Sequence, residues 1–436
     1  MLLFLSLLTV KSAEIGGSLR SNLRMSTNGE MLDFQDSLVF SPWWEAGDRA
    51  LLHAGVEIRW SYPSQVDSLS DGEQAQLLQP FFIRPDDLWI RLRWANHQIK
   101  IGHQRVFWNI APGYSLLNNL NAWDLRDPTQ FDQRLSVPML HYRANAQRWS
   151  AELAVVPWFT PAQLPKVPLN ILPGAEQSFA IDGQPLDIRS TESDVSLPTP
   201  TIQNVQIGGR ILYTAPTFDV SMSFFRGFDS LPQADGNLLL TGFQTDRDRV
   251  DVGIPLRHPR TTVVGFGASL QLPLESLGWI EVSYTIPEKT SLVASQEQLE
   301  ALQTLGAISD VPVPLPLVVT QDGQPYPKWI IGVERFFGDV LFNAQWLHGF
   351  LTERQSSDLS NYAMLSANWS IRPTVQLQSS AAVNGQGLLL FNDVLFLVHD
   401  EVELGVGNLT AQATDDSPLS TYKNLQNFRI YASMQF

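Results

Sequence analysis

The chain has 436 residues, 44% of them hydrophobic and 17% charged, with a formal net charge of −15 and no cysteine. Disulfides, thiolate metal sites and cysteine nucleophiles are therefore excluded, and no basic stripe exists on which nucleic acid would release counterions. The charged fraction is below the ~25% usual for soluble domains, yet beyond the N-terminus no run approaches the ~20 apolar residues of a membrane helix, so the hydrophobicity is spread along the chain.

Residues 2–10, LLFLSLLTV, form a compact apolar run of the length of a signal-peptide core, followed by Ser12 and Ala13. We expect a signal peptide over 1–13 and a mature chain over 14–436. Cleavage after Ser12 and a buried first strand are the alternatives, because no Lys or Arg precedes the run and Lys11 sits where a small residue is preferred.

From there period two dominates. In LLHAGVEIRWSY (51–62), Leu52, Ala54, Val56, Ile58, Trp60 and Tyr62 oppose His53, Gly55, Glu57, Arg59 and Ser61. In DLWIRLRW (87–94), Leu88, Ile90, Leu92 and Trp94 oppose Trp89, Arg91 and Arg93. The same alternation returns in WIEVSYTI (279–286), in VLFNAQWLHGF (340–350), where Val340, Phe342, Ala344, Trp346 and Phe350 share a parity, and in the final NLQNFRIYASMQF (424–436). Runs of ~9–11 residues with an apolar face and aromatic ends suit a tilted bilayer crossing. In hydrocarbon every backbone N–H and C=O must be paired, so such strands close into a barrel.

The connections alternate in the same way. Short links at 95–97, 145–147, 215–216, 274–277, 337–338 and 371–373 alternate with long polar or Pro/Gly-rich stretches at 63–86, 108–136, 158–203, 228–259, 288–327, 351–360 and 411–426. Tight periplasmic turns and long outer loops are the habit of outer-membrane barrels. The pattern predicts an all-β, transmembrane antiparallel β-barrel of about eighteen strands. Sixteen remains open, because GLLLFNDVLFLVHDE in 385–402 reads as one strand or two. An even number places both termini in the periplasm. Phe436, ending the chain on an alternating strand, resembles the C-terminal signal read by the bacterial barrel-assembly machinery.

The stretch after QIKIGHQRVFW carries a resemblance. Gly102, Gln104 and Trp108, then Asn121, Asp124, Leu125 and Arg126, then Pro157 and Pro161 match the pattern Gly-x-Gln-x-x-x-Trp-Gly, Asn-Pro-x-Asp-Leu-Arg and Val-x-Pro-x-x-x-Pro. This resembles a large family of bacterial outer-membrane barrels of unknown function, distantly similar to alginate-export and other substrate-specific porins. Asn109 stands for the family Gly and Ala122 for its Pro. The resemblance implies a barrel and transport without naming a solute.

Residues 108–136 also contain apolar Leu116, Leu117 and Leu120, and a loop of that size with its own apolar residues packs on something. In a wide barrel that place is the lumen, where Asn121, Asp124, Arg126 and Asp127 would form a constriction; an exposed loop folded on itself is the other reading. If the apolar parity faces lipid, Glu57, Arg59, Arg91, Arg93 and Lys100 line the pore on three adjacent strands, within reach of one another, and Arg105 joins them if its strand end is bulged. Such a face selects anions, or serves structurally by pairing with Glu57 and Asp124.

No G-x-S-x-G, H-E-x-x-H or P-loop pattern accompanies the seven histidines, so no catalytic residue, metal or cofactor is expected. TDRDRVD (245–251) reads as a solvated loop tip, 295–305 as a short helix, and 311–319 as extended chain. The expected partners are outer-membrane lipid, the barrel-assembly machinery and small hydrophilic solutes, and the expected function is a porin-like channel. The alternatives are the outer component of a lipid or polysaccharide export system and a barrel enzyme.

Overall fold

Period-two alternation becomes a closed ladder of eighteen antiparallel strands. The computed structural model describes the chain except residues 1–9, 30, 64–80, 128–131, 164–178, 182–183, 193–194, 238, 245–248, 254, 294–317 and 415–416. The barrel strands are β1 (Gly17–Met25), β2 (Met31–Phe40), β3 (Ala50–Pro63), β4 (Phe81–Trp94), β5 (His97–Gln104) and β6 (Val137–Ala146). Next come β7 (Trp149–Val156), β8 (Gln206–Thr214), β9 (Phe218–Phe228), β10 (Arg260–Leu272), β11 (Ser276–Pro287) and β12 (Tyr326–Phe337). The last six are β13 (Val340–His348), β14 (Asn361–Arg372), β15 (Val375–Asn384), β16 (Gly387–His399), β17 (Val402–Ala413) and β18 (Asn427–Gln435). The run GLLLFNDVLFLVH within 385–402 is thus one strand, β16, and the count is eighteen rather than sixteen.

Each strand pairs with its sequence neighbours, and β18 pairs back with β1 from Ser18↔Gln435 to Met25↔Phe428. Phe436 continues this seam: Gly17 N–H donates to its carbonyl at 2.8 Å. Its ring lies over Gly17, where a Cβ would collide with it. Closure leaves no open edge, which is what an apolar solvent demands of a sheet.

One end of the barrel carries tight turns. Ala95 and Gln147 take left-handed φ angles of 45° and 49° there, as two-residue hairpins require. The other end carries most of the long connections, which pair among themselves: Gln184–Glu192 lies beside Arg249–Gly253, and Val195–Ser196 beside Leu256–Arg257. So 249–251 belongs to a strand rather than a loop tip, while 245–248, 295–305 and 311–317 lie outside the described residues. Of the expected signal peptide, 1–9 also lies outside them, and Val10–Glu14 forms a short strand against Trp43–Ala46.

The outward parity is apolar and exposed, as at Ile211, Met222, Phe224, Ile331 and Leu365. The inward parity carries buried polar groups such as Glu57, Glu281, Asp393 and Arg429. An apolar outward band, with the buried polar groups kept to the inward parity, is the division a bilayer stabilises. Two local departures shift the expected faces. Phe350 does not share the outward face of β13, because the strand ends at His348 and Gly349, at φ 86°, turns Phe350 into the interior, where it is buried. And β4 starts at Phe81, well before Leu88, with a bulge in its pairing with β3 between Ala54↔Leu88 and Val56↔Pro85. The bulge reverses parity along β4, so Phe82 and Arg84 face inward although they precede the run whose alternation is legible.

Candidate functional site

The connection between β5 and β6 turns into the lumen and reaches the far wall. Its base is built by short-range bonding. Gln104 is fully buried and donates to Met139 O at 3.0 Å. Asn121 Oδ1 accepts from Val106 N at 2.8 Å, and its amide donates to Gln104 O at 2.9 Å and Leu135 O at 2.8 Å. One side chain thus ties together the start, middle and end of the loop. Trp108 Nε1 donates to Glu152 on β7 at 3.0 Å, and His141 on β6 also lies 3.0 Å from that carboxylate. Gly102 has φ 133°, and a Cβ there would overlap the backbone of Leu88.

The loop tip crosses to β11. Glu281, with no exposed surface, accepts from Ile110 N at 2.6 Å, Ala111 N at 2.8 Å, Leu116 N at 2.9 Å and Ser115 Oγ at 2.9 Å. Around this latch lie two hydrophobic clusters. Trp108, Leu117 and Leu120 pack on inward residues of β6, β7, β9 and β10. Tyr114, Leu116, Trp123 and Leu125 pack on those of β12 to β17, with Tyr422 and Leu425 from the connection before β18. The space between the loop and the wall on that side is filled by apolar contact.

A cavity of about 390 Å³ remains against β1 to β4. Arg59, Arg84, Glu57 and Asp124 meet in its wall, with Arg126 beside Asp124, among further arginines (Arg20, Arg105, Arg134) and carboxylates (Asp36, Asp86, Asp127, Asp132). Arg59 and Arg84 approach Glu57 at 2.6 Å and 2.5 Å. Arg84 also lies 3.5 Å from Asp124, and Arg126 Nε donates to Asp124 at 2.7 Å. All three guanidiniums surround the ring of Phe82, at 5.8, 5.6 and 5.1 Å from its centroid, a geometry in which the ring face offsets part of their mutual repulsion. Asp127 sits between Arg20 at 4.0 Å and Arg429 at 3.7 Å. Arg24, paired with Asp33, donates to Arg126 O at 3.2 Å.

Of the expected pore residues, the fold brings Glu57 and Arg59 together with Asp124 and Arg126 of the loop. It does not bring Arg91, Arg93 and Lys100 to them. Arg91 pairs across from Lys100, while Arg59 pairs across from Phe82, nine positions earlier on β4, about 30 Å along a strand. Those cations line the short-turn mouth, and Lys100 lies 4.2 Å over the Trp89 ring. Arg105 does turn inward past the end of β5, held by Asp86 and by Asp87 at 3.4 Å, the two carboxylates beside the β4 bulge. Asn121 serves as a brace of the loop and Asp127 as a tie to β1 and β18. Arg84 and Phe82 were missed; Pro85 and two consecutive acids were the available signal that alternation breaks there.

The loop carboxylates have opposite environments. Burial works against the charge of Asp124, but Arg126, with Arg59 and Arg84 behind it, holds its carboxyl well below the usual range. Burial raises Asp132 to about 6, against the pull of Arg134. Arg134 is itself lowered to about 10 by burial, although Asp132 lies 3.5 Å away; its guanidinium lies 3.0 Å over the Trp123 ring. Among the described residues no group of three or more His, Asp or Glu side chains is placed to hold a metal ion.

No family model and no curated protein matches the chain. Among solved structures the chain is similar to OccAB1 of Acinetobacter baumannii, with a TM-score of 0.54 and 9% identity over 98% of this chain and 97% of that one. It also aligns with a loop-deletion mutant of OmpT, an outer-membrane protein of Vibrio cholerae, at TM-score 0.44 and 9% identity, covering 98% and 99%. OmpF of Salmonella typhi aligns at TM-score 0.42 and 10% identity, covering 97% of each. At these identities the likeness is one of fold: a closed antiparallel β-barrel.

Proposed function

We propose that the protein is a channel of the outer membrane of a Gram-negative-type bacterium, passing small hydrophilic solutes, with both termini periplasmic. The observation that carries this is the remaining lumen cavity, whose wall is lined by arginines and carboxylates, Arg59, Arg84, Glu57 and Asp124 among them. Arginines and carboxylates are close to balanced around that cavity, so a hydrophilic solute meets fixed charge of both signs where the loop narrows the barrel. Arginine also matches carboxylate and phosphate groups by paired N–H donors.

A specific observation favours a second reading. The two hydrophobic clusters pack the loop against the wall from β6 to β17, as suits a closed barrel that opens only with partners of a lipid or polysaccharide export system. The test is conductance of the purified protein in planar bilayers with a salt gradient. Stable open steps support the channel; silence from inserted protein favours the plugged exporter. A channel rather than an enzyme also suits the His141–Glu152 contact, whose carboxylate holds Trp108 of the loop. Phe436 is half-exposed on the outward parity, which suits recognition by the assembly machinery.

A further inference from the structure

A second cavity, of about 100 Å³, lies between the loop and β9 to β12, at the end of the barrel that carries the long connections. Four cations line it from four different elements: Arg134 of the loop, Arg260 at the start of β10, Lys328 near the start of β12 and Arg354 of the connection between β13 and β14. One carboxylate lines it with them, Asp229, which lies 2.5 Å from Arg354. The acids that adjoin these cations are engaged elsewhere. Glu353 accepts from Phe350 N and from the Tyr362 hydroxyl, both at 2.6 Å. Glu288 accepts Arg260 N at 2.8 Å and meets Arg257 at 3.1 Å, and Asp132 lines the larger cavity.

Arg134, Lys328 and Arg354 are buried, and buried charge is costly unless it is paired and hydrogen-bonded. Arg134 Nη1 donates to Asn121 O at 3.1 Å, but Nη2 is buried with no hydrogen-bond partner among the described residues. Lys328 Nζ carries three hydrogens and donates one to Phe350 O at 2.5 Å. Acceptors are present as well as donors. Gln321 is buried; its Nε2 donates to Arg354 O at 3.4 Å, while its Oε1 has no partner among the described residues. The wall therefore combines an excess of positive charge with two acceptors, Asp229 and Gln321. A volume of about 100 Å³ holds roughly three waters, room for one tetrahedral oxyanion and none for an organic group attached to it.

We propose that this cavity binds one hydrogen phosphate ion as a resident ligand. Its oxygens accept from cations that come from four elements, an arrangement that surrounds a tetrahedral ion. Its one P–OH hydrogen is what Asp229 or Gln321 Oε1 can accept. Sulfate has the same shape and no hydrogen at neutral pH, so its oxygens would face those acceptors with nothing to donate, and the cost of unpaired buried acceptors sets the two ions apart. The bound ion offsets the charge of cations that otherwise share one carboxylate, and it bridges the loop to the connection after β13. Its binding does not depend on whether the barrel conducts.

Equilibrium dialysis of radiolabelled phosphate against the full chain in detergent and chloride buffer tests this. One ion should be retained per chain. Arsenate, which carries the same hydrogen, should displace it, and an excess of sulfate should not. Arg260 is half-buried, and Arg260→Gln should weaken binding about tenfold or more, while heat-modifiable migration shows that the barrel has assembled. Arg91→Gln, at the short-turn mouth, should leave binding unchanged. Should Arg260→Gln fail to assemble, Lys328→Met, which removes a charge and nearly keeps the side chain's length, carries the same expectation. The proposal is overturned if no phosphate is retained, which would leave the cavity to water, or if sulfate displaces phosphate as well as arsenate does. It is also overturned if Arg91→Gln weakens binding as much as the cavity variant, which would place the ion in the pore, or if the assembled cavity variant binds like the wild-type protein.

Discussion

Glu281, on the wall strand β11, accepts the backbone N–H of Leu116 at 2.9 Å from the far side of the lumen. The same carboxylate takes two more loop N–H groups and the Ser115 hydroxyl. One side chain therefore satisfies three buried backbone donors that would otherwise have no partner, and it fixes where the loop ends its crossing.

Removing that acceptor should release the loop and spare the barrel. Each buried donor left unpaired costs ~1–3 kcal/mol, so Glu281→Ala is expected to unseat residues 105–136, while Glu281→Gln, which keeps one acceptor oxygen, does so less. Protease added to detergent-solubilised protein should cut the loop in Glu281→Ala and leave the wild-type protein intact, and single-channel current should become larger or noisier. Unchanged current and protection would mean that the hydrophobic clusters and the Trp108–Glu152 bond hold the loop without the latch.

Replacing Arg59, Arg84 and Arg126 by Gln leaves Glu57 and Asp124 without cations, and the reversal potential in a salt gradient should move toward cations. Arg91→Gln with Arg93→Gln should change it far less, because those residues lie about 30 Å along the strand from the constriction, well beyond the ~8 Å screening length of physiological salt. An equal shift from both variants would mean that the short-turn mouth governs selectivity.

The two loop acids should give opposite pH dependences. The carboxyl of Asp124 is held below its ordinary value, near 3.9. Its ion pairs therefore stabilise the seated loop fully above about pH 4, and that contribution is lost as pH falls below it. Asp132 is raised to about 6, so the folded state binds the extra proton, and seating weakens as pH rises from about 4 to 6. In melting of the heat-modifiable form against pH, Asp124→Asn should remove the acid-side loss, and Asp132→Asn the decline from about 4 to 6. Profiles that both variants leave unchanged would place these carboxylates outside the cooperative unit.

Leu365→Arg and Ser366→Arg differ by one position on β14 and by which solvent they meet. Leu365 is exposed on the outward face, where an arginine near the bilayer midplane costs ~2–4 kcal/mol; Ser366 pairs across from inward Asn343. Leu365→Arg should reduce the yield of assembled, heat-modifiable protein, and Ser366→Arg should assemble near wild-type level. Equal yields would show that the two faces have been exchanged.

Strand alternation, the rhythm of short and long connections and the aromatic end of the last strand were legible in the chain because each is local. A side chain's parity follows from its own position, and hydrocarbon leaves one way to pair a set of half-apolar strands. The loop's own apolar residues, Leu116, Leu117 and Leu120, likewise announced that it must pack on something. The tertiary structure decided where. Glu281 lies more than 160 positions from the groups it accepts, a separation that no local pattern records. The same holds for the arginines. Glu57 and Arg59 were visible as an inward pair, but their companions Arg84 and Phe82 stand beyond a bulge that reverses parity. Arg91 and Lys100, read as part of one cluster, share a face with Arg59 and not a height. Parity fixes the side of a sheet; distance along the strand and the path of a loop are set only when the barrel closes and long-range pairing chooses the register.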